Sequence, residues 1–138
     1  MRALPRAATA VWLVVMLMAC TARRPDQDRR ILEASPVERL SAALLWQDFQ
    51  SVREQAERAY VGRALIVAGD VTRAGTDESG EAYVYFGQTP TGGVYAMLLD
   101  DQAEAIMAAV EQETRVQLKC FCEGLTTDVV LRSCIAAE

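Results

Sequence analysis

The sequence predicts a mainly β domain of the α+β class, in which a long N-terminal helix precedes five strands and a short helix lies between the third and fourth strands. Three observations support this class: apolar residues at helical spacing over residues 36–60, period-two alternation after Gly62, and turn residues between the alternating segments. Of 138 residues, 51% are hydrophobic and 24% are charged, which suits one globular domain.

The long helix is predicted to begin at a capping box. Ser35 is the N-cap candidate, Pro36 suits the first helical position, and Glu38 can reach back to a free backbone N–H. Apolar residues then recur at spacings of three and four, and Gly62 is a stop signal. A helix over residues 36–60 would be about 37 Å long, which leaves room for a kink or split and for a partner on part of its face.

The five strands are predicted from β-branched, aliphatic and aromatic runs bounded by Gly, Pro, Asp and Ser. Gly69 within the first run is typical of a bulge or a sharply coiled strand. Asp100 or Asp101 is the predicted cap of the short helix, which extends through Val110. The strands are predicted at residues 64–72, 82–86, 94–99, 114–122 and 128–135, with a loop over 73–81 and a turn over 87–93.

This order of elements is that of an OB-fold, a five-stranded barrel with a helix between strands three and four. Closing the sheet removes the edges that would otherwise pair with other chains. The alternative is a plain antiparallel meander with flanking helices.

The first 19 residues have the features of a secretion signal. Arg2 and Arg6 precede a ten-residue apolar run, which is too short to span a bilayer as a helix. Leu17-Met18-Ala19-Cys20 resembles the bacterial lipobox, in which the cysteine is acylated and becomes the first residue of the mature chain. The alternative is an ordinary signal peptide with a chance cysteine, which Leu17 disfavours because an ordinary site takes small residues at −3 and −1.

The acyl chains on Cys20 would anchor the protein in the lipid bilayer of the cell envelope. Thr21 after the cysteine, in place of aspartate, implies an outer-membrane lipoprotein facing the periplasm if the cell is Gram-negative. Residues 20–34 are polar with balanced charges, so we expect a flexible tether there. The predicted organisation is therefore a signal peptide over 1–19, a tether over 20–34 and a domain over 35–138.

Two groups of residues, in order along the chain, resemble a known family. The first comprises Ala56, Tyr60, Gly62, Val67, Gly69 and Val71, and the second comprises Cys122-Glu123-Gly124, Asp128-Val129-Val130-Leu131 and Cys134. They cover about residues 50–136 and resemble the tRNA-anticodon-binding-like OB-fold domains of bacterial envelope lipoproteins. Cys120 departs from the family pattern. The resemblance implies a binding fold, whereas the nature of the ligand must be judged at the site.

Three cysteines remain if Cys20 is acylated, and an oxidising compartment favours a disulfide. The resemblance implies a Cys122–Cys134 bond with Cys120 as the free thiol, and a Cys120–Cys134 bond is the alternative. A thiol-disulfide redox protein that uses Cys120, Cys122 and Cys134 is an alternative function. We expect no metal site, because the chain has no histidine and three thiols are a weak zinc ligand set.

A candidate binding face is predicted on strands two and three, where OB-folds commonly bind ligands. Tyr83 and Tyr85 share one side of strand two, and Tyr95 lies on strand three. If Val84 and Phe86 fill the core, the three tyrosines form an exposed aromatic patch. The alternative is that the tyrosines only cover the core or the long helix.

Charge and composition limit the function further. From residue 41 onward there are seven basic and fifteen acidic residues, so a nucleic-acid backbone would be repelled. The absence of histidine excludes Ser-His-Asp and Cys-His nucleophilic sites, and no phosphate-binding glycine loop is present. We therefore expect a non-catalytic module without a cofactor that binds an envelope protein or peptide, with oligonucleotide or glycan binding on the tyrosine patch as a further alternative.

Overall fold

The computed structural model describes residues 27–138, so the predicted signal peptide, Cys20 and residues 20–26 of the predicted tether lie outside the described residues. Seven strands and three α-helices follow a short 3-10 helix at Arg29–Leu32. In chain order they are β1 (Glu38–Ser41), α1 (Ala42–Ser51), α2 (Arg53–Tyr60), β2 (Ala64–Asp70), β3 (Arg73–Thr76), β4 (Ala82–Thr89), β5 (Gly92–Leu98), α3 (Asp100–Gln112), β6 (Arg115–Leu125) and β7 (Val129–Ala136). None of the helices in this part of the chain is long and apolar enough to span a membrane.

The strands form one sheet in the order β1-β2-β6-β7-β5-β4-β3. The pairs β1–β2 and β5–β7 are parallel, and the other pairs are antiparallel. The fold is therefore mainly β and of the α+β class, as predicted, but the hydrogen-bonded order is an open one of seven strands. The expected closed barrel of five strands is not confirmed. Two further strands extend the sheet: β1, from a segment predicted as helix, lies at one end, and β3, from a segment predicted as loop, lies at the other.

The sheet is strongly curved. Only Val71 and Thr72 separate β2 from β3, although five strand spacings lie between them in the sheet order. A flat sheet would place these strands roughly 24 Å apart, whereas three Cα steps reach at most about 11 Å. The bend brings Gly69 of β2 against Phe86 of β4, where an added Cβ would come within 2.9 Å of the Phe86 ring.

The prediction of one long helix over residues 36–60 is wrong. The first part of this segment contains a strand, and the second part is divided into two helices. Residues Glu38–Ser41 form β1, because Leu40 pairs with Val67 of β2 and turns into the core. Ser41 is the actual N-cap of α1, since its hydroxyl accepts a hydrogen bond from Leu44 N at 3.0 Å. Val52 interrupts the helix between α1 and α2 with φ −137° and ψ 51°.

Two clusters of buried side chains stabilise the sheet. The larger lies on its concave side, where α1 covers it through Leu45 and Phe49. The smaller lies on the outer side, where Ile31 packs with Ala64, Leu99, Phe121 and Ile135.

Residues 27–34, here called the N-terminal segment, pack on the domain through this outer cluster, although the sequence predicts a flexible tether there. Ile31 is completely buried, and the Lys119 side chain donates a hydrogen bond to the Ala34 carbonyl at 3.0 Å. Gln27 accepts from the backbone N–H of Asp100 at 2.8 Å and so satisfies one of the free N–H groups in the first turn of α3. The predicted side-chain caps of α3, Asp100 and Asp101, are not used in that way: the N-cap is Leu99, which makes no side-chain cap bond.

Candidate functional site

The predicted tyrosine patch lies on the outer side of the sheet. Val84 and Phe86 of β4 are fully buried in the core, so alternation turns Tyr83 and Tyr85 to the opposite side, where both are half-buried. Tyr95 of β5 lies opposite Tyr85 in the register and is half-buried as well. The structure therefore brings the three tyrosines together, as the sequence indicated.

Arg73 of β3 completes this surface, and we call Arg73, Tyr83, Tyr85 and Tyr95 together the tyrosine face. The Tyr83 and Tyr95 rings are stacked, with centroids 4.8 Å apart and an interplanar angle of 21°. The Arg73 guanidinium lies 4.7 Å from the Tyr85 ring centroid and 5.9 Å from that of Tyr83. The sequence predicts a loop over residues 73–81 and gives no sign of Arg73 in this role, whereas in the structure β3 pairs Arg73 with Tyr85.

Asp128 holds one end of the tyrosine face in place. Its Oδ1 accepts a hydrogen bond from the Tyr85 hydroxyl at 2.9 Å and another from Gly93 N at 3.0 Å. Gly93 is required at this point, because a Cβ there would collide with the carbonyl oxygen of Phe86 on the neighbouring strand. The Tyr85 ring is thus fixed before any ligand arrives.

The phenols of Tyr85 and Tyr95 are neutral at physiological pH. Burial, followed by the nearby Asp77 carboxylate, raises the pKa of Tyr95 to about 12. Burial and the Asp128 hydrogen bond raise the pKa of Tyr85, and Arg73 opposes that shift. These side chains therefore offer uncharged aromatic surface, with the Arg73 guanidinium as a cation beside it.

One shallow groove adjoins the tyrosine face, and a second lies away from it. One of about 490 Å³ adjoins Tyr85 and Arg73 and is continued by Thr72, Gly87 and Gln88. A larger one, of about 750 Å³, lies between α2 and β6 and is lined mainly by charged side chains. The first is the better candidate because it continues an aromatic surface, whereas the second has a mixed set of carboxylates and guanidiniums.

The disulfide links Cys120 to Cys134, with a Cα–Cα distance of 4.3 Å, and Cys122 is the free thiol. The implied Cys122–Cys134 bond is therefore wrong, and the alternative pairing is present. The β6–β7 register is the reason. Cys122 lies opposite Leu131, three residues and roughly 10 Å along the strand from Cys134, which exceeds the reach of a disulfide.

All three cysteines are buried, with at most 1% exposure. Burial raises the pKa of the Cys122 thiol to about 12, so this group carries no thiolate at neutral pH. Burial also shields the Cys120–Cys134 sulfurs from an attacking thiol. Among residues 27–138, no three His, Cys, Asp or Glu side chains are grouped so as to hold a metal ion.

Comparison with known protein families gives a match over nearly the whole chain, at residues 3–135, to the family named tRNA_anti-like. The chain belongs to the tRNA_anti-like family. This confirms the resemblance read from the sequence, and the match begins well before the expected start near residue 50. Searches of curated proteins and of solved structures each gave no significant match. Membership in the tRNA_anti-like family supports an OB-fold binding module.

Proposed function

We propose that this protein is a membrane-anchored, non-catalytic binding module of the bacterial cell envelope, and that it binds an envelope protein or peptide through the tyrosine face. The observation that carries the proposal is the prearranged aromatic surface on the outer side of the sheet, formed by the stacked Tyr83 and Tyr95 with Tyr85 beneath Arg73.

The chemistry of this face suits protein recognition. Tyrosine and arginine are enriched among the residues that contribute most to protein interfaces, because they bury large areas and keep a polar group for hydrogen bonding. Since Asp128 fixes Tyr85 and stacking orders Tyr83 and Tyr95, little side-chain entropy remains to be lost on binding.

The proposed location depends on the Leu17-Met18-Ala19-Cys20 pattern. Acylation of Cys20 would insert the mature chain in the envelope bilayer, and outer-membrane attachment facing the periplasm follows if the cell is Gram-negative. Replacing Cys20 by Ala abolishes fatty-acid labelling on this proposal. Labelling that persists in Cys20→Ala contradicts it.

Nucleic acid is a poorer ligand for this surface. The chain carries a formal net charge of −5, and the carboxylates of Asp128 and Asp77 lie near Tyr85 and Tyr95 of the tyrosine face. Such a field does not retain a phosphate backbone. A glycan can stack on tyrosine without a charge requirement, so it remains the ligand class that the binding test must separate from a peptide.

The test uses a photo-crosslinking residue in intact cells. Placed at exposed Pro90, which lines the groove that adjoins Tyr85 and Arg73, it is expected to capture an envelope protein, whereas the same residue at exposed Glu111 on α3 is not. The crosslinked peptide is then identified and titrated against the purified protein. Capture that is equal at positions 90 and 111 contradicts the proposal.

The titration compares two substitutions. Tyr95→Ala is expected to raise the Kd of the identified peptide at least about tenfold, equivalent to about 1.4 kcal/mol. Leu44→Ala, which removes an exposed side chain from α1, should leave Kd unchanged. A Kd that responds only to Leu44→Ala would assign the contact to the helices, and displacement of the peptide by an oligosaccharide would favour a glycan ligand. Thermal melts of both variants establish that they are folded.

A further inference from the structure

The packed N-terminal segment shortens the connection between the domain and the proposed lipid anchor. We propose that this short connection holds the domain against the bilayer, with the surface around Gln27 and the start of α3 on the membrane-proximal side. The inference rests on the proposed acylation of Cys20 and deepens it by naming the surface that faces the lipid.

The N-terminal segment is attached at several points. The Gln27 side chain donates to the Leu98 carbonyl at 3.1 Å and accepts from Asp100 N at 2.8 Å. The Asp28 backbone N–H donates to the Ser133 hydroxyl at 2.7 Å, and the buried Ile31 packs in the outer cluster. Since donors, acceptors and an apolar anchor are all engaged, residues 27–34 are part of the folded domain, whereas the sequence predicts a tether there.

The reach of the remaining chain follows from backbone geometry. Seven Cα steps separate Cys20 from Gln27, and a fully extended chain spans at most about 25 Å over that number. A domain of about 110 residues has a radius of gyration near 13 Å, which corresponds to a diameter of roughly 34 Å. A connection of about 25 Å cannot pass around such a body, so Gln27 is excluded from the side that faces away from the membrane.

A tether over the whole of residues 20–34 would have had no such effect. Its fourteen steps would reach about 50 Å, which exceeds the diameter of the domain and allows any orientation. Packing of the N-terminal segment on the domain therefore shortens the free connection enough to limit how the domain is oriented on the membrane.

Charge does not account for this orientation. Arg29 is paired with Asp101 at 2.9 Å, and Arg30 is paired with Asp28 at 2.6 Å. Because these guanidiniums already have carboxylate partners, the described surface near Gln27 offers little net positive charge to anionic headgroups. The orientation should therefore persist at high salt, where electrostatic adhesion weakens.

The experiment places a fluorophore on the acylated, full mature protein in lipid vesicles. One variant, Glu104→Cys, carries the dye on α3, one turn after the start of that helix. The control, Thr127→Cys, carries it on the β6–β7 connection. That position is roughly 20 Å along β7 from Ser133, whose hydroxyl accepts from the N–H of Asp28 in the N-terminal segment. Glu104 and Thr127 are exposed, whereas Cys122 is 1% exposed and should not react in the folded protein. A nitroxide-headgroup lipid then quenches dyes near the membrane surface.

Quenching at position 104 is expected to exceed quenching at position 127 at least about twofold, at low and high salt alike. Inserting twenty Gly and Ser residues between Ala22 and Arg23 should remove the difference. Equal quenching at positions 104 and 127 in the chain without the insertion overturns the inference, and so does a difference that survives the insertion or disappears in high salt.

Failure of the anchor itself is recognised separately. Mass spectrometry of the mature protein reports acylation, and flotation with vesicles reports attachment. If Cys20→Ser floats as well as the wild type, or if no acyl mass is found, the proposed anchoring fails. If both are as expected and the quenching is equal, only the orientation fails.

Discussion

Replacing Ile31 by Ala tests whether residues 27–34 are part of the folded domain. Ile31 is 0% exposed and packs against Ala64, Leu99, Phe121 and Ile135. The substitution removes three buried carbons at about 0.8 kcal/mol each, and incomplete collapse of the cavity adds to that loss. We expect the free energy of unfolding to fall by about 3 kcal/mol, which lowers Tm by roughly 12 °C for a domain of this size.

The matched control is the adjacent Leu32, which has the same number of side-chain carbons but is 40% exposed. Leu32→Ala should lower the free energy of unfolding by about 1 kcal/mol, because less surface is withdrawn from water there. The assay is urea unfolding of the mature chain with Cys20 replaced by Ser. If the two variants agree within about 0.5 kcal/mol, a margin typical of surface substitutions, the N-terminal segment is not packed and the orienting connection to the membrane is lost with it.

Three further predictions concern the disulfide, the β4–β5 pair and an ion pair. Cys134→Ala should lower the free energy of unfolding by about 3 kcal/mol by releasing a constraint on the unfolded chain, whereas Cys122→Ala should cost about 1 kcal/mol; equal losses in urea unfolding would contradict the observed pairing. Gly93→Ala should lower the free energy of unfolding by at least about 2 kcal/mol, because the added Cβ meets a backbone carbonyl. Gly75→Ala, where there is space for a Cβ, should leave the free energy of unfolding nearly unchanged in the same assay. Hydrogen bonds from Arg30 hold the pKa of Asp28 well below its ordinary value of 3.8. The stability that the Asp28 carboxylate adds is therefore present above pH 3.8 and is lost as the pH falls through the lower pKa of the folded state. Asp28→Asn should therefore be less stable than the wild type at pH 7 by about 1 kcal/mol, and a difference that does not shrink in unfolding measurements below pH 4 would refute this account.

The strands and the tyrosine face were predictable because both follow from local alternation. Val84 and Phe86 alternate with Tyr83 and Tyr85, and this pattern alone separates a core side from an outer side. Each of the five predicted strands overlaps an observed strand for the same reason. Turn residues between them limited where each strand could begin and end.

Residues Glu38–Ser41 show where local reasoning failed. Their sequence carries a helix-start signal, yet pairing with β2, more than twenty residues further along the chain, holds them extended. Arg73 was misplaced for a similar reason, since a four-residue strand rich in small residues gives little alternation to detect. The disulfide depended on register shifts between β6 and β7, and nothing in the cysteine spacing reports such shifts.

The amino-acid sequence by itself determined the fold class, the family and the aromatic composition of the candidate face, because these depend on residue types and short-range periodicity. Only the tertiary structure decided which cysteines meet, that Arg73 lies over Tyr85, and that the polar N-terminal segment is anchored by Ile31. Each of these depends on contacts between residues far apart in the chain, whose free energy is shared among several elements and is set when the curved sheet brings them together.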